Sequence, residues 1–135
     1  MKKSDALAVI DLAEACNMFE FKNIKAAGVC YNNMANLQLK NDKYQLADEN
    51  FQKAINAADF CLGKIKPEEY FRDFDEKEGR KIINKIIIAD LNESNKLYYE
   101  KVRANRIYCK AICQYKTRKY YENGYDVGRE TSRKN

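Results

Sequence analysis

Few residues in this chain have the chemistry that catalysis requires. The sequence contains no histidine, the side chain that most often transfers protons near neutral pH. The acidic pair Asp73 and Asp75 lies in a polar stretch typical of a solvated loop, and no glycine-rich loop could hold a phosphate. A cysteine nucleophile would need a general base, for which lysine is the only common candidate. We therefore predict that the protein is not an enzyme and uses no cofactor.

The cysteines are the other residues that could do chemistry, by binding a metal. Cys109 and Cys113 are four residues apart and would share one face of a helix. Zinc sites usually take four ligands, however, and the chain offers no histidine and no second close cysteine pair. All five cysteines have apolar neighbours, and an odd number is unusual in an oxidising compartment. The sequence predicts reduced core thiols, no metal site, and a cytoplasmic or nuclear location.

Basic residues concentrate near the carboxyl end of the chain. Residues 1–100 carry 15 basic and 17 acidic side chains, whereas residues 101–135 carry 10 and 3. A cationic segment can bind RNA or an acidic partner, so a nucleic-acid adaptor is one hypothesis. No glycine-rich RNA-binding signature or paired aromatic platform accompanies the charge, and we do not predict nucleic acid as the partner. We expect residues 129–135 to form a basic disordered tail.

The spacing of apolar residues predicts that most of this chain forms α-helices. The chain has one proline and five glycines, and no apolar run approaches the length of a membrane span. Residues 31–40 contain neither Gly nor Pro, and the polar residues Asn41-Asp42-Lys43 then interrupt the pattern. Small and apolar residues next recur three or four apart on one face of a second helix: Tyr44, Ala47, Phe51, Ala54, Ile55, Ala58 and Cys61. We predict an all-α domain in which Ala47 and Ala54 allow close packing.

This pattern resembles the tetratricopeptide repeat, a unit of two antiparallel helices that stacks with its neighbours. The residues at family positions are Tyr31, Asn33, Met34 and Ala35 in the first helix and Tyr44, Ala47, Phe51 and Ala54 in the second. Gln38 and Asp59 depart from the family pattern, which prefers an aromatic residue and a proline there. The resemblance implies antiparallel helix hairpins stacked as a short α-solenoid, in the long variant with about forty residues per unit.

The repeat spacing predicts how the domain, residues 1–128, is organised. Ala6, Ile10 and Ala13 are spaced along the chain as Ala47, Phe51 and Ala54 are, which predicts that residues 4–20 are the second helix of a truncated unit. Residues 28–62 form the best-preserved repeat. Because a half-unit leaves apolar surface uncovered, we expect the chain to be part of a larger repeat protein.

The second half of the domain is predicted to hold an insertion and a degenerate repeat. Residues 67–91 form the insertion, with a short helix from Glu68 to Phe74, whose first turn suits Pro67, and an isoleucine-rich helix over residues 82–91. Residues 95–128 form the degenerate repeat or capping helix, because Ile107, Ala111 and Tyr120 repeat the spacing of Tyr31, Ala35 and Tyr44. We favour one long helix reaching Tyr115, and leave open whether residues 92–95 break it.

The resemblance also implies where a partner binds, since family members bind peptides in the groove lined by first helices. The corresponding residues are Val29, Asn32, Asn36, Leu39 and Lys40, followed by Asn105, Tyr108, Ile112, Tyr115 and Lys116. Asparagine amides can bind an extended backbone, and lysines can hold carboxylates. We predict a non-catalytic scaffold that binds a peptide or partner subunit. The alternative is a structural subunit of a larger assembly that buries its outer helices.

Overall fold

Five helices make up the described parts of the chain, which in this computed structural model are residues 1–20, 22–71 and 93–124. In chain order they are α1 (Lys3–Phe19), α2 (Ile24–Lys40), α3 (Tyr44–Cys61), α4 (Pro67–Tyr70) and α5 (Glu93–Glu122). No strand occurs in these three ranges, and the predicted all-α class is confirmed. None of the five helices is long and apolar enough to cross a membrane.

Capping interactions fix both ends of α2. The side chain of Asn23 accepts a hydrogen bond from the Ala26 N–H at 3.0 Å, which satisfies one of the free donors in the first turn. At the other end, the Lys43 N–H donates to the Gln38 carbonyl at 2.8 Å, and Asp42 takes the left-handed conformation with φ 61°. This is a Schellman turn, and it lies at the polar residues that the sequence predicted to interrupt the helices.

The segment after α3 differs in part from the prediction. Gly63 follows the end of α3 with a positive φ of 76°, and Pro67 is the first residue of α4, as expected. The sequence predicted that this short helix reaches Phe74, but α4 ends at Tyr70 and Phe71 is extended. The Phe71 ring packs against Phe60 with centroids 5.8 Å apart, so burial of the ring competes with continuation of the helix. The predicted isoleucine-rich helix, residues 82–91, lies outside the described residues.

Consecutive helices pack on one another from α1 to α4, and α5 returns to α3. Helix α1 packs on α2, α2 on α3, and α3 on both α4 and α5. The first residue of α2, Ile24, shares a buried cluster with Ala57 and Phe60 near the end of α3. Near the other end of α2, Gln38 accepts a hydrogen bond from Asn50. The contacts therefore run in opposite directions along α2 and α3.

The largest buried cluster joins α2, α3 and α5. Its members are Ala35, Tyr44, Ala47, Phe51, Cys113 and Tyr120. A second cluster, Cys16, Cys30 and Met34, joins α1 to α2. Ala47, Phe51 and Ala54 have no exposed surface. The residues that the sequence predicted on one face of α3 are therefore buried.

Helix α5 is continuous from Glu93 to Glu122. Tyr120, which the repeat spacing pairs with Tyr44, lies inside α5 rather than at the start of a further helix. Residues 116–122 contain no glycine or proline, and the next glycine, Gly124, has φ 85°. Helix α5 therefore ends at Glu122, two residues before a glycine in the left-handed conformation, and the described part of 95–128 is one helix followed by a turn.

Candidate interaction surface

The predicted groove residues of α2 lie on the side of the helix that does not face α3. Val29, Asn36 and Lys40 are exposed, and Asn32 and Leu39 are half-buried. Leu39 packs against the large cluster that contains Ala35. Four of these five residues therefore offer surface to a partner, while Leu39 contributes mainly to the core.

Asn32 has the most unusual environment of the set. Its side-chain oxygen is buried and accepts no hydrogen bond from the described part of the chain. A buried acceptor without a donor costs about 1–3 kcal/mol. Because the residue as a whole is only half-buried, a rotation of the side chain would turn this oxygen toward solvent, where the N–H of a bound peptide could pair with it.

Lys40 holds α1 against the end of α2. Its Nζ lies 3.5 Å from Oδ2 of Asp5, and the side chain of Asn41 donates to the same oxygen at 3.0 Å. The Asn41 hydrogen bond, together with the Lys40 charge, holds the pKa of the Asp5 carboxyl below its usual value, against a smaller opposing effect of burial. Lys40 thus has an intramolecular role besides the predicted one.

The predicted residues of α5 are mostly exposed as well. Asn105, Tyr108, Tyr115 and Lys116 are exposed and Ile112 is half-buried, with 65% of Tyr108 and 58% of Tyr115 accessible. Successive residues turn by about 100° around a helix. Tyr108 and Tyr115 therefore lie on the side of α5 opposite its buried residues Arg106, Cys113 and Tyr120. Around the axis of α5, three residues lie between Tyr108 and Cys109, namely Asn105, Ile112 and Lys116. Cys109 packs on the cluster shared with α2.

Helices α2 and α5 run in the same direction along α3. The Lys25 ammonium lies 4.4 Å from the centre of the Tyr98 ring, and one turn further along α2, Gly28 faces Arg106. Near the other end, Leu39 packs on a cluster that includes Cys113. The structure therefore places the two predicted sets on neighbouring helices, with Asn105, Ile112 and Lys116 nearer to α2 than Tyr108 and Tyr115.

A buried arginine lies beneath this surface, and the sequence analysis did not identify it. Arg106 is 4% exposed, and its Nη1 donates to the Ala54 carbonyl at 2.8 Å. Burial lowers the pKa of its guanidinium. A Cβ atom on Gly28 would lie 3.0 Å from Arg106 Nη1, so the glycine makes room for the cation. The only sequence signal was that Arg106 falls in the same helical register as Tyr99, Cys113 and Tyr120.

A separate polar depression of about 580 Å³ lies beside α4. Its lining comes from four elements and consists of Glu20, Tyr31, Lys53, Asn56, Glu69 and Tyr70. Burial raises the pKa of Tyr31 to about 12 and also raises that of Tyr70, so both hydroxyls stay protonated near neutral pH. This depression can exchange hydrogen bonds with a polar group, but it contains none of the predicted groove residues.

The cysteines are all present as thiols. Burial is the main reason that the pKa of Cys16 is raised to about 12, with Cys30 close by as a smaller contribution, and a protonated thiol is a poor nucleophile. Among the described residues, no three potential metal ligands come together.

Comparisons with protein-family models, curated proteins and solved structures find no match to this chain. The resemblance to the tetratricopeptide repeat therefore depends only on the residues quoted above.

Proposed function

We propose that this protein is a non-catalytic scaffold that binds a peptide or a partner subunit through the surface shared by α2 and α5. The observation that carries the proposal is the buried, unpaired oxygen of Asn32 beside the exposed Asn36. A side-chain amide can donate to and accept from the backbone of an extended peptide at once. Binding would draw the Asn32 side chain outward and give its oxygen the donor that the described residues do not provide.

The order of helix contacts supports a short solenoid of the tetratricopeptide type as the framework for this surface. Each helix packs on the next along α1, α2, α3 and α5, and small residues such as Ala47 and Ala54 are fully buried between them. In such a stack, α2 and α5 would be the first helices of consecutive units. We propose a cytoplasmic or nuclear location because all five cysteines are thiols.

The chemistry of the surface favours a peptide with acidic groups. Two cations of the predicted set are exposed on this surface, Lys116 next to the Asn105 side of α5 and Lys40 at the end of α2. Exposed Tyr108 and Tyr115 add apolar area with a polar tip. The main-chain contacts of the asparagines would provide affinity, and the cations would favour acidic side chains over basic ones.

The test is affinity capture of partners with the intact chain and with Asn36→Ala/Lys116→Ala, which changes one exposed residue on each helix. The matched control is Asn33→Ala/Lys22→Ala, which removes the same two residue types from exposed positions outside the predicted set. Quantitative mass spectrometry at low and high salt should show partners that the first variant loses and the control keeps. Equal recovery by all three proteins would refute the proposed surface.

A structural subunit of a larger assembly is the second candidate. It is favoured by the large apolar side chains that α1 exposes, namely Leu7, Ile10 and Met18. In that case the partners would be retained by Asn36→Ala/Lys116→Ala and lost when α1 is altered. A nucleic-acid adaptor, in contrast, would lose its ligand steeply as salt rises.

A further inference from the structure

The polar depression beside α4 contains side chains of both charges. Glu20, which directly follows α1, and Glu69, on α4, contribute carboxylates, and Lys53, on α3, contributes an ammonium group. Within the described ranges, Lys53 forms no ion pair with either carboxylate. The three charges therefore do not neutralise one another in pairs, and each is available to a group of the opposite sign.

The side of the depression formed by α2 and α3 provides hydrogen-bond donors. The Lys53 ammonium lies 5.7 Å from the centre of the Tyr31 ring, so the charge lies beside the α2 residue of the lining. Asn56 follows one turn later on α3, and its amide oxygen accepts a hydrogen bond from Gln52 at 2.9 Å. The amide N–H groups of Asn56 therefore remain to donate to a ligand. A carboxylate only accepts hydrogen bonds, and it fits an ammonium group with neutral donors beside it.

The end of α1 and the short helix α4 provide acceptors. Tyr70 stacks on Phe60 with centroids 5.0 Å apart, which holds α4 against α3 and keeps Glu69 at the depression. Burial is the main cause of the raised pKa of Tyr70, and the negative charge of Glu20 adds to it, so this carboxylate lies near the ring. Two carboxylates beside a tyrosine ring suit a guanidinium or an ammonium group. A guanidinium has several N–H donors in a planar fork, enough for both carboxylates.

Size and charge narrow the class of ligand. The depression has a volume of about 580 Å³, and small-molecule sites usually have about 300–1,000 Å³. A ligand with cations alone would be repelled by Lys53, and a ligand with carboxylates alone would be repelled by Glu20 and Glu69. The complementary ligand has a carboxylate at one end and a cation at the other.

We propose that this depression binds a basic amino acid with a free carboxylate, such as arginine, as the free molecule or as the last residue of a polypeptide. The carboxylate would bind Lys53 and Asn56, and the side-chain cation would bind Glu20 and Glu69. Each charged group of the ligand then meets the opposite charge. This site is independent of the proposed peptide surface, because none of its lining residues belongs to that surface.

Isothermal titration calorimetry of the intact chain at low ionic strength tests the proposal with arginine and its analogues. Argininamide lacks the carboxylate and citrulline lacks the side-chain charge, so each should bind at least about tenfold more weakly than arginine. Nα-acetyl-arginine resembles the last residue of a polypeptide. Tighter binding of this analogue than of arginine would assign the site to a chain end, and weaker binding would assign it to the free amino acid.

Two exposed residues of the lining, Lys53 and Glu69, allow matched variants that keep the fold. Lys53→Gln should weaken arginine binding roughly tenfold, and it should not weaken the binding of argininamide, which has no carboxylate. Glu69→Gln should reduce the preference for arginine over citrulline. The controls Lys101→Gln and Glu49→Gln remove the same charges at exposed positions outside the depression, and they should bind arginine as the unaltered chain does.

The proposal is overturned if arginine at millimolar concentration does not bind the intact chain, or if either argininamide or citrulline binds as tightly as arginine. It is also overturned if Lys53→Gln, shown by circular dichroism to be folded, binds arginine as the unaltered chain does. Neither result decides the proposed function, since the affinity-capture variant Asn36→Ala/Lys116→Ala keeps every lining residue of the depression.

Discussion

The contact between α2 and α3 consists mainly of small and apolar side chains, whereas the contact between α3 and α5 adds several cations to its apolar cluster. In the first, Ala47, Phe51 and Ala54 are fully buried. In the second, Arg106 donates to the Ala54 carbonyl, Arg103 binds Asp59, and Lys110 lies 3.5 Å from Asp48. Apolar packing depends on shape and little on salt, while ion pairs depend on geometry and on screening. The two contacts of α3 should therefore respond differently to mutation and to solution conditions.

The largest effect should come from Phe51, whose cluster includes residues of both contacts. Phe51→Ala should lower the free energy of unfolding by about 3–5 kcal/mol, because it removes buried apolar area and leaves a cavity. Urea denaturation followed by circular dichroism measures the change. Leu46→Ala, at a 42% exposed position on the same helix, is the control and should cost about 0.5 kcal/mol or less. Similar losses for the two variants would mean that α3 is not packed as described.

The fit between Gly28 and Arg106 tests the α5 side of the comparison. Gly28→Ala should lower the free energy of unfolding by about 1–3 kcal/mol, because the new methyl group would displace the guanidinium. Its Cβ would lie 3.0 Å from Arg106 Nη1 and 3.2 Å from the Ala57 Cβ. In an Arg106→Ala background the same substitution should cost less, and a double-mutant cycle measures the difference. An unchanged cost in that background would assign the strain to Ala57 instead.

A buried polar pair is the exception within the apolar α2–α3 contact. The side chain of Asn50 donates to Gln38 Oε1 at 2.7 Å, and both residues are buried. Asn50→Ala should therefore cost about 1–2 kcal/mol, because it leaves the Gln38 oxygen without its donor. Replacing both residues with leucine should cost less than the single change, since no polar group is then left unpaired. Chemical denaturation of the unaltered chain, Asn50→Ala and the double leucine variant measures these losses. A double variant less stable than Asn50→Ala would contradict the prediction.

The smallest effect should come from the ion pairs of the α3–α5 contact. Asp48→Asn removes the partner of Lys110 and should cost about 0.2–1 kcal/mol at low ionic strength, because both side chains are partly exposed to water. The loss should shrink as salt is added. Thermal melts at two salt concentrations measure it, with Asn50→Ala as the reference whose loss should not change with salt. A salt-independent loss for Asp48→Asn would remove the distinction between the two contacts.

The α2–α3 pair was the part of the fold most accessible from the sequence. Its helices follow from apolar spacing, and the turn between them follows from Asn41-Asp42-Lys43, whose middle residue adopts the left-handed conformation. Gln38 seemed only a departure from the repeat pattern until the structure paired it with Asn50. Asparagine at position 50 gives no sign of this by itself, because exposed and buried polar residues look alike in a helical pattern.

The candidate site was accessible only in part. The spacing placed Asn36, Tyr108 and Tyr115 on helices and the structure leaves them exposed. It did not indicate that Lys40 pairs with Asp5 or that the oxygen of Asn32 is buried. These features depend on which helix lies beside α2, and that is a property of packing rather than of local spacing. Partner binding at this surface remains a prediction.

By itself, the sequence determined the all-α class, because apolar residues recur at helical spacing and the chain contains few glycines and one proline. It also determined the turn between α2 and α3, where local residues provide the capping bonds. Only the tertiary structure decided which side of α5 is buried. That side contains Arg106, whose hydrogen-bond partner Ala54 lies on a different helix, far away in the chain. No local pattern can specify such a contact, since it forms only when packing against α3 brings the two residues together.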